Sequence, residues 1–219
     1  MSVTATSPAP PSPLVLSYLE LRKAVGIIGV ALPFALVIGK WLLQGPGLQD
    51  SLSSYYYTDM RNVFVGSLCA IGVFLLSTRG YDKCDAIAGS LACVFAVGVA
   101  LFPTTDTSGV THEPMWIGRL HLTFAALLFL TLAYFCLFQF VKTSTVEPTP
   151  RKLERNKVYK VCGWIIVGCV VFIAVLKLLL MNLLLTPMIL PPVFLFETVA
   201  ILSFGFAWLV KGEFLLADQ

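Results

Sequence analysis

His121, Lys177 and Glu197 are ionisable side chains that stand well inside stretches of the chain that are mostly apolar. A charge in hydrocarbon costs about 2.5–3.5 kcal/mol even on a lenient insertion scale, so each needs a partner or a function. Lys177 lies about 11 residues before a turn near Met188, and Glu197 about 9 residues after it, which places both at comparable depth. We predict a buried ion pair, acting either as a structural bridge or as a proton-relay or polar-ligand site.

The two histidines are the residues best suited to acid–base chemistry. An imidazole titrates near pH 6.5, so His121 is the candidate general acid–base, with Asp106, Glu113 or Glu197 as its carboxylate partner in hydrolysis of a lipid bond. The alternative is that His121 hydrogen-bonds a neighbouring helix while His112 is solvated. Two histidines and a carboxylate could hold zinc, but no HxxxH or HxxE spacing is present. We therefore expect no metal and no cofactor.

The polar tract Ser51–Asn62 carries three consecutive tyrosines among hydroxyl, carboxylate and guanidinium groups. A guanidinium can grip a phosphate or carboxylate, which predicts a ligand-lining role for the tract. The alternative is an interfacial aromatic belt in which Asp59 caps the second helix and Arg61 reaches lipid headgroups. The candidate ligand-binding residues, including two from other segments, are Ser54, Tyr56, Asp59, Arg61, Arg119 and Lys177.

The elements that must position these residues are six long apolar stretches. The chain is 58% hydrophobic and 12% charged, which excludes an ordinary soluble domain. A helix needs roughly 20 apolar residues to cross a bilayer, and lipid leaves no place for open backbone. We predict an all-α integral membrane bundle of six transmembrane helices: Leu21–Leu43, Asn62–Thr78, Cys84–Pro103, Trp116–Val141, Val161–Leu185 and Ile189–Val210.

The basic residues predict the orientation of the bundle. Most of the 15 lysines and arginines fall on the side that also holds both termini, which favours N-in, C-in topology in the plasma membrane (a bacterial inner membrane). Residues 1–13 are then a disordered cytoplasmic tail, 14–212 the transmembrane domain and 213–219 a short cytoplasmic tail. The basic run Arg151–Lys160, within a predicted inside loop Lys142–Lys160, faces anionic lipid, so we expect no nucleic-acid partner.

Small residues and proline mark the first predicted helix. The spacing of Gly26 and Gly29 indicates close helix packing, and Pro33 predicts a kink. The six cysteines lie in or beside the spans without a CxxC pair, so we expect buried thiols and no disulfide.

Two family resemblances accompany these observations. The strings LRKAVGIIGVALPFALVIG, SLSSYYYTDMRNVFVG, FPTTD and GRLH resemble a group of bacterial multi-pass membrane proteins of the SxSxYYYTxxRxxFVG type, which implies a membrane fold and no particular activity. The Ser/Asp-bearing tract and His121 are more distantly similar to the alkaline ceramidase and progestin-receptor-like membrane hydrolases. That superfamily has seven spans and a zinc held by three histidines. This chain has two histidines in total.

Together these features predict a polar cavity open to the non-cytoplasmic side. Lys177 and Glu197 would form its floor, His121 and Arg119 its wall, and the Ser51–Arg61 tract its rim. The leading hypothesis is that it binds an amphiphilic or lipid-like ligand whose anionic headgroup meets Arg61 and Arg119. The alternatives are a membrane-embedded lipid hydrolase using His121, and a small proton-coupled transporter using Glu197 and Lys177. Membrane lipids are the expected partners, and the transporter would require a homo-oligomer.

Overall fold

The described part of the chain is helical. The computed structural model describes residues 13–78, 82–105, 114–143, 147–179 and 190–216. Within these ranges there are six α-helices and no strand. The α-helices, in chain order, are α1 (Pro13–Gln44), α2 (Arg61–Ser77), α3 (Lys83–Leu101), α4 (Met115–Tyr134), α5 (Pro150–Leu179) and α6 (Pro192–Lys211). A short 3₁₀ helix, Ser53–Tyr57, precedes α2, and a π-helical turn, Phe135–Gln139, extends α4.

Five of these helices are long and apolar enough to cross a membrane, and α2 is shorter, at 17 residues. At 1.5 Å per residue, α2 is about 26 Å long, against about 30 Å for the hydrocarbon core of a bilayer. The predicted all-helical fold is confirmed for the described residues, and five of the six helices have the length and hydropathy of membrane spans.

The helices form a closed ring in which each packs on its neighbours in the chain. α1 packs on α2, α2 on α3, α3 on α4, α4 on α5 and α5 on α6, and α6 returns to α1. Each helix buries its inward side, and the ring surrounds a common core. At one end of the ring α1 ends at Gln44, and α2, α4 and α6 begin at Arg61, Met115 and Pro192. This end is called the Glu197 end. The opposite end, with Phe140, Pro150 and Lys211, is called the Lys211 end.

Close glycine contacts hold α1 against α6. A Cβ built on Gly29 would lie 3.3 Å from the Cα atom of Gly205, and one on Gly205 would lie 2.8 Å from the backbone nitrogen of Val30. No side chain fits between backbones this close, so the two helices cross at van der Waals distance. The predicted packing role of Gly26 and Gly29 is confirmed. Pro33 lies within α1, which continues through it to Gln44.

The start of α5 differs most from the prediction. The predicted loop Lys142–Lys160 is wrong from Pro150 onward, because α5 begins there, well before Val161. The Thr149 hydroxyl accepts a hydrogen bond from the Lys152 backbone N–H at 3.1 Å, and Pro150 follows it at the first helical position. A threonine cap followed by proline favours the start of a helix even where the first helical residues are polar. The predicted end at Leu185 and the hairpin to α6 lie outside the described residues.

An ion-pair network ties two loops together at the Lys211 end. The Lys142 ammonium lies 2.7 Å from Asp85, whose side chain is fully buried, and 2.9 Å from Asp82. Asp82 also caps α3 by accepting a hydrogen bond from the Asp85 backbone N–H at 2.9 Å. Hydrogen bonding to Lys142 lowers the pKa of Asp82, and hydrogen bonding to Asp85, then Asp82, raises the pKa of Lys142.

Candidate functional site

A cavity in the middle of the ring is the central feature of the candidate site. Its wall receives residues from α1, α2, α3, α4 and α6 and from the segment before α2. Glu197 is the one ionisable side chain in that wall. The other lining side chains are apolar except for Ser53. The lining residues are Leu32, Leu52, Ser53, Phe64, Leu68, Val99, Ala125, Leu128, Phe129, Leu132, Glu197 and Ile201.

The cavity is small in this conformation. The space in it that the centre of a water molecule can occupy is about 40 Å³. By that measure one water needs about 10–15 Å³, so the cavity holds about three waters and no acyl chain. A larger ligand requires part of the wall to move.

Glu197 is anchored to the chain by a backbone hydrogen bond. The Leu52 N–H donates to the Glu197 carboxylate at 2.7 Å. Glu197 lies in the second turn of α6, about 8 Å from its start, and so meets the connection between α1 and α2 at the same end of the ring. A second bond, from the Phe194 N–H to the Asp50 carbonyl at 3.1 Å, holds the same stretch against α6.

The segment Ser51–Tyr57, here called the capping segment, covers this end of the bundle. Its first five residues are buried, and Leu52 and Ser53 belong to the cavity wall. The Ser51 and Ser54 hydroxyls hydrogen-bond each other at 2.8 Å, and the Tyr57 hydroxyl donates to the Thr104 carbonyl at 2.6 Å. The capping segment is therefore a folded part of the wall, whereas the sequence indicated a polar rim.

Lys177 does not form the predicted ion pair with Glu197. No nitrogen–oxygen distance within 4.0 Å joins these two described residues. The Lys177 ammonium nevertheless acts electrostatically on both Glu197 and His121, so the three groups gather at one end of the ring. The comparable depth inferred from the residue count is consistent with this arrangement.

His121 is buried within α4, with 3% of its surface exposed. Its Nδ1 atom lies 2.6 Å from the Phe102 carbonyl oxygen, which assigns the proton to Nδ1 because a carbonyl only accepts. Nε2 is buried and has no hydrogen-bond partner in the described structure. His121 lies one helical turn from Ala125 of the cavity wall. Its contact with α3 fits the predicted bond to a neighbouring helix, and Nε2 remains available as an acceptor.

The candidate anion-binding residues lie at the surface and do not meet in the cavity. Arg61 is exposed, stacks on Tyr56 with its guanidinium carbon 4.1 Å from the ring centroid, and donates to the Tyr56 hydroxyl. Arg119 is exposed and donates to the Met115 sulfur at 3.3 Å. Asp59 is exposed as well, and the cap position of α2 is Met60, so the predicted Asp59 cap is wrong.

The proposed catalytic partners Asp106 and Glu113, together with His112, lie outside the described residues. Among the described residues, no group of three His, Cys, Asp or Glu side chains converges in a way that could hold a metal ion. The described part of the chain therefore brings Glu197, His121 and Lys177 to one end of the bundle, and of these three Glu197 alone lines the cavity.

Sequence reasoning missed Leu52, whose backbone N–H is the partner of Glu197. No side-chain signal could have identified a backbone donor, although Glu197 and the polar tract were predicted at the same end of the bundle. No protein-family model, curated protein or solved structure matches this chain.

Proposed function

We propose that the protein binds a small amphiphile in the central cavity, with the polar group of the ligand at Glu197. The observation that carries this proposal is a single carboxylate in a cavity wall that is apolar except for Ser53, at the centre of a membrane-type bundle. Ionisable residues within membrane segments mark ligand or ion sites by default. An apolar wall favours a ligand with a hydrocarbon part over a freely polar solute.

The chemistry of the wall favours a cationic or hydrogen-bond-donating head on the ligand. Glu197 offers only acceptor oxygens while it is ionised, and one of them already accepts the Leu52 N–H. Arg61 and Arg119, which were expected to receive an anionic head, are exposed. An amine or alcohol therefore fits Glu197 better than a phosphate or carboxylate does.

Entry of such a ligand requires the capping segment to move. The present space of about 40 Å³ is too small for a hydrocarbon chain. The capping segment supplies two wall residues and is joined to Glu197 by a hydrogen bond. An incoming amine or hydroxyl donor would replace the Leu52 N–H at the carboxylate and so release the wall at this end.

The test is native mass spectrometry of the purified protein with dodecylamine, and with dodecanoate as the anionic counterpart. We expect saturable binding of dodecylamine that Glu197→Gln weakens by about tenfold, since one charge-assisted hydrogen bond is worth roughly 1.4 kcal/mol more than a neutral one. Glu154→Gln is the control, because that glutamate is 56% exposed at the other end of the bundle.

Preferential binding of dodecanoate, sensitive to Arg61→Gln and not to Glu197→Gln, would refute the cavity proposal in favour of the surface arginines. If Glu197→Gln and Glu154→Gln weaken dodecylamine binding equally, the amine is attracted by the overall charge of the protein and not by a site at Glu197.

A second candidate is a proton-linked carrier that uses Glu197. The hydrogen bond between Glu197 and Leu52 favours it, because protonation would weaken a bond to the segment that walls the cavity. This candidate predicts solute flux in proteoliposomes driven by a pH gradient and removed by Glu197→Gln. Binding without flux favours the first candidate. With so few helices, a carrier of this kind would work as a homo-oligomer.

The lipid hydrolase remains a prediction. His121 has an open Nε2 atom, but no carboxylate contacts it among the described residues, and hydrolysis would have to be shown as product formation lost in His121→Ala. The two family resemblances likewise remain predictions.

We further propose that α2 crosses the membrane with the other five helices, in N-in, C-in orientation in the plasma membrane. The closed ring supports this, because α2 packs between α1 and α3 along the bundle. A periplasmic reporter fused after Gln219 should be inactive, and an active one would contradict the orientation.

A further inference from the structure

Two ammonium groups converge on one carbonyl oxygen at the Lys211 end, on the opposite side of the bundle from Glu197. Lys152 of α5 donates to the Phe140 carbonyl at 2.6 Å, and Lys211 of α6 lies 3.5 Å from the same oxygen. The two nitrogens are therefore at most about 6 Å apart, within the screening length of about 8 Å at physiological salt. Both also lie over the Tyr159 ring, at 5.6 and 6.0 Å.

Two guanidinium groups join this pair, one from α5 and one from α1. Arg155, one turn after Lys152 on α5, is 8% exposed and lies 3.6 Å from Glu213. Gly212, next to Lys211, lies against α1, where a Cβ on it would be 3.3 Å from the Cβ of Arg22. Arg22, Lys152 and Arg155 all act electrostatically on Lys211. The four basic residues are here called the basic cluster.

Two members of the basic cluster have no acidic partner in the described part of the chain. Glu213 lies 3.6 Å from Arg155, and Lys152 and Arg155 make further contacts in the chain. The other two members are Lys211 and Arg22. Neither has a carboxylate oxygen within 4.0 Å among the described residues.

We propose that the basic cluster binds the phosphate group of an anionic membrane lipid. Basic pockets between membrane helices bind phosphate headgroups, and the cluster lies where α1, α5 and α6 reach the same end of the bundle.

The experiment is native mass spectrometry of the full chain in detergent, titrated with phosphatidylglycerol or with zwitterionic phosphatidylcholine. We expect the wild type to prefer phosphatidylglycerol, and Lys211→Met to weaken that binding by about tenfold, the effect of losing one charge-assisted contact. Arg22→Gln should weaken it in the same direction. Lys157→Met is the matched control, because this lysine is exposed on the same helix outside the basic cluster.

Inorganic phosphate and glycerol 3-phosphate form the second arm. Failure of millimolar concentrations of either to displace phosphatidylglycerol supports a lipid site, whereas displacement would overturn the lipid assignment in favour of a soluble phosphate. No preference for phosphatidylglycerol, or an equal loss in Lys157→Met, would overturn the proposal. Should Lys211→Met fail to fold, Arg22→Gln decides the question. Because Glu197 lies at the other end of the ring, Glu197→Gln should leave this binding unchanged.

Discussion

The crossing of α1 and α6 makes a sharp prediction about stability. In Gly205→Ala the new methyl group would lie 2.8 Å from the Val30 backbone nitrogen and 2.9 Å from the Gly26 carbonyl oxygen. These are backbone atoms that cannot rotate away, so the helices must separate by about half an ångström or more, and overpacking of this kind costs about 1–3 kcal/mol. Gly168→Ala is the matched control, because in the described structure no atom beyond the neighbouring backbone of its own helix lies within 4 Å of its Cβ position.

Replacing an exposed helical glycine by alanine should be neutral or stabilising by up to about 1 kcal/mol. The two glycine-to-alanine changes are therefore expected to move stability in opposite directions. The assay is the free energy of unfolding in mixed micelles titrated with sodium dodecyl sulfate, followed by loss of helical circular dichroism. Unfolding of Gly205→Ala at the same denaturant fraction as Gly168→Ala would show that α1 and α6 are not in backbone contact.

Two further predictions concern the Lys211 end. The lowered pKa of Asp82 means that its contribution to stability is fully present above its ordinary pKa of 3.8 and is lost as the pH falls through the lowered value. The raised pKa of Lys142 means that its contribution is fully present below 10.5 and is lost as the pH rises through the raised value. At pH values below about 4 the melting temperature should therefore fall. The fall should be smaller in Lys142→Met. An equal fall in Lys142→Met and in the wild type would exclude the ion pair as its source. Thr149→Ala should lower the free energy of unfolding by about 1 kcal/mol because it removes the cap of α5, whereas Thr149→Ser should leave it unchanged. Equal unfolding free energies for the alanine and serine variants would contradict the cap.

The helices were predictable because lipid and water impose opposite demands on a sequence. Apolar length located every described helix, and the packing role of Gly26 and Gly29 followed from residue size. The start of α5 was missed because residues 150–160 are largely polar, and hydropathy reports contact with lipid, not helical backbone. The pair Thr149-Pro150 carried the missing signal in its capping chemistry.

The sequence predicted how deep the candidate site residues lie in the bundle, but it did not predict their hydrogen-bond partners. Counting residues placed Lys177 and Glu197 at one level of the bundle, yet the carboxylate binds the Leu52 backbone N–H, a donor that every residue except proline possesses. The meeting of Lys152 with Lys211 depends on ring closure between distant parts of the chain. Arg61 and Arg119 were selected by charge alone, and charge does not say which face of a helix points inward.

The closed ring also has a consequence for the order in which the protein assembles. Five of its helix interfaces join segments that are consecutive in the chain, so each can form as soon as its second helix is synthesised. The interface between α1 and α6 joins the two ends of the sequence. During translation α1 must therefore keep its glycine face uncovered until α6 has been synthesised. The contact of Gly29 with Gly205 closes an open row of helices into a ring, and Glu197 reaches the capping segment only once α6 is in place.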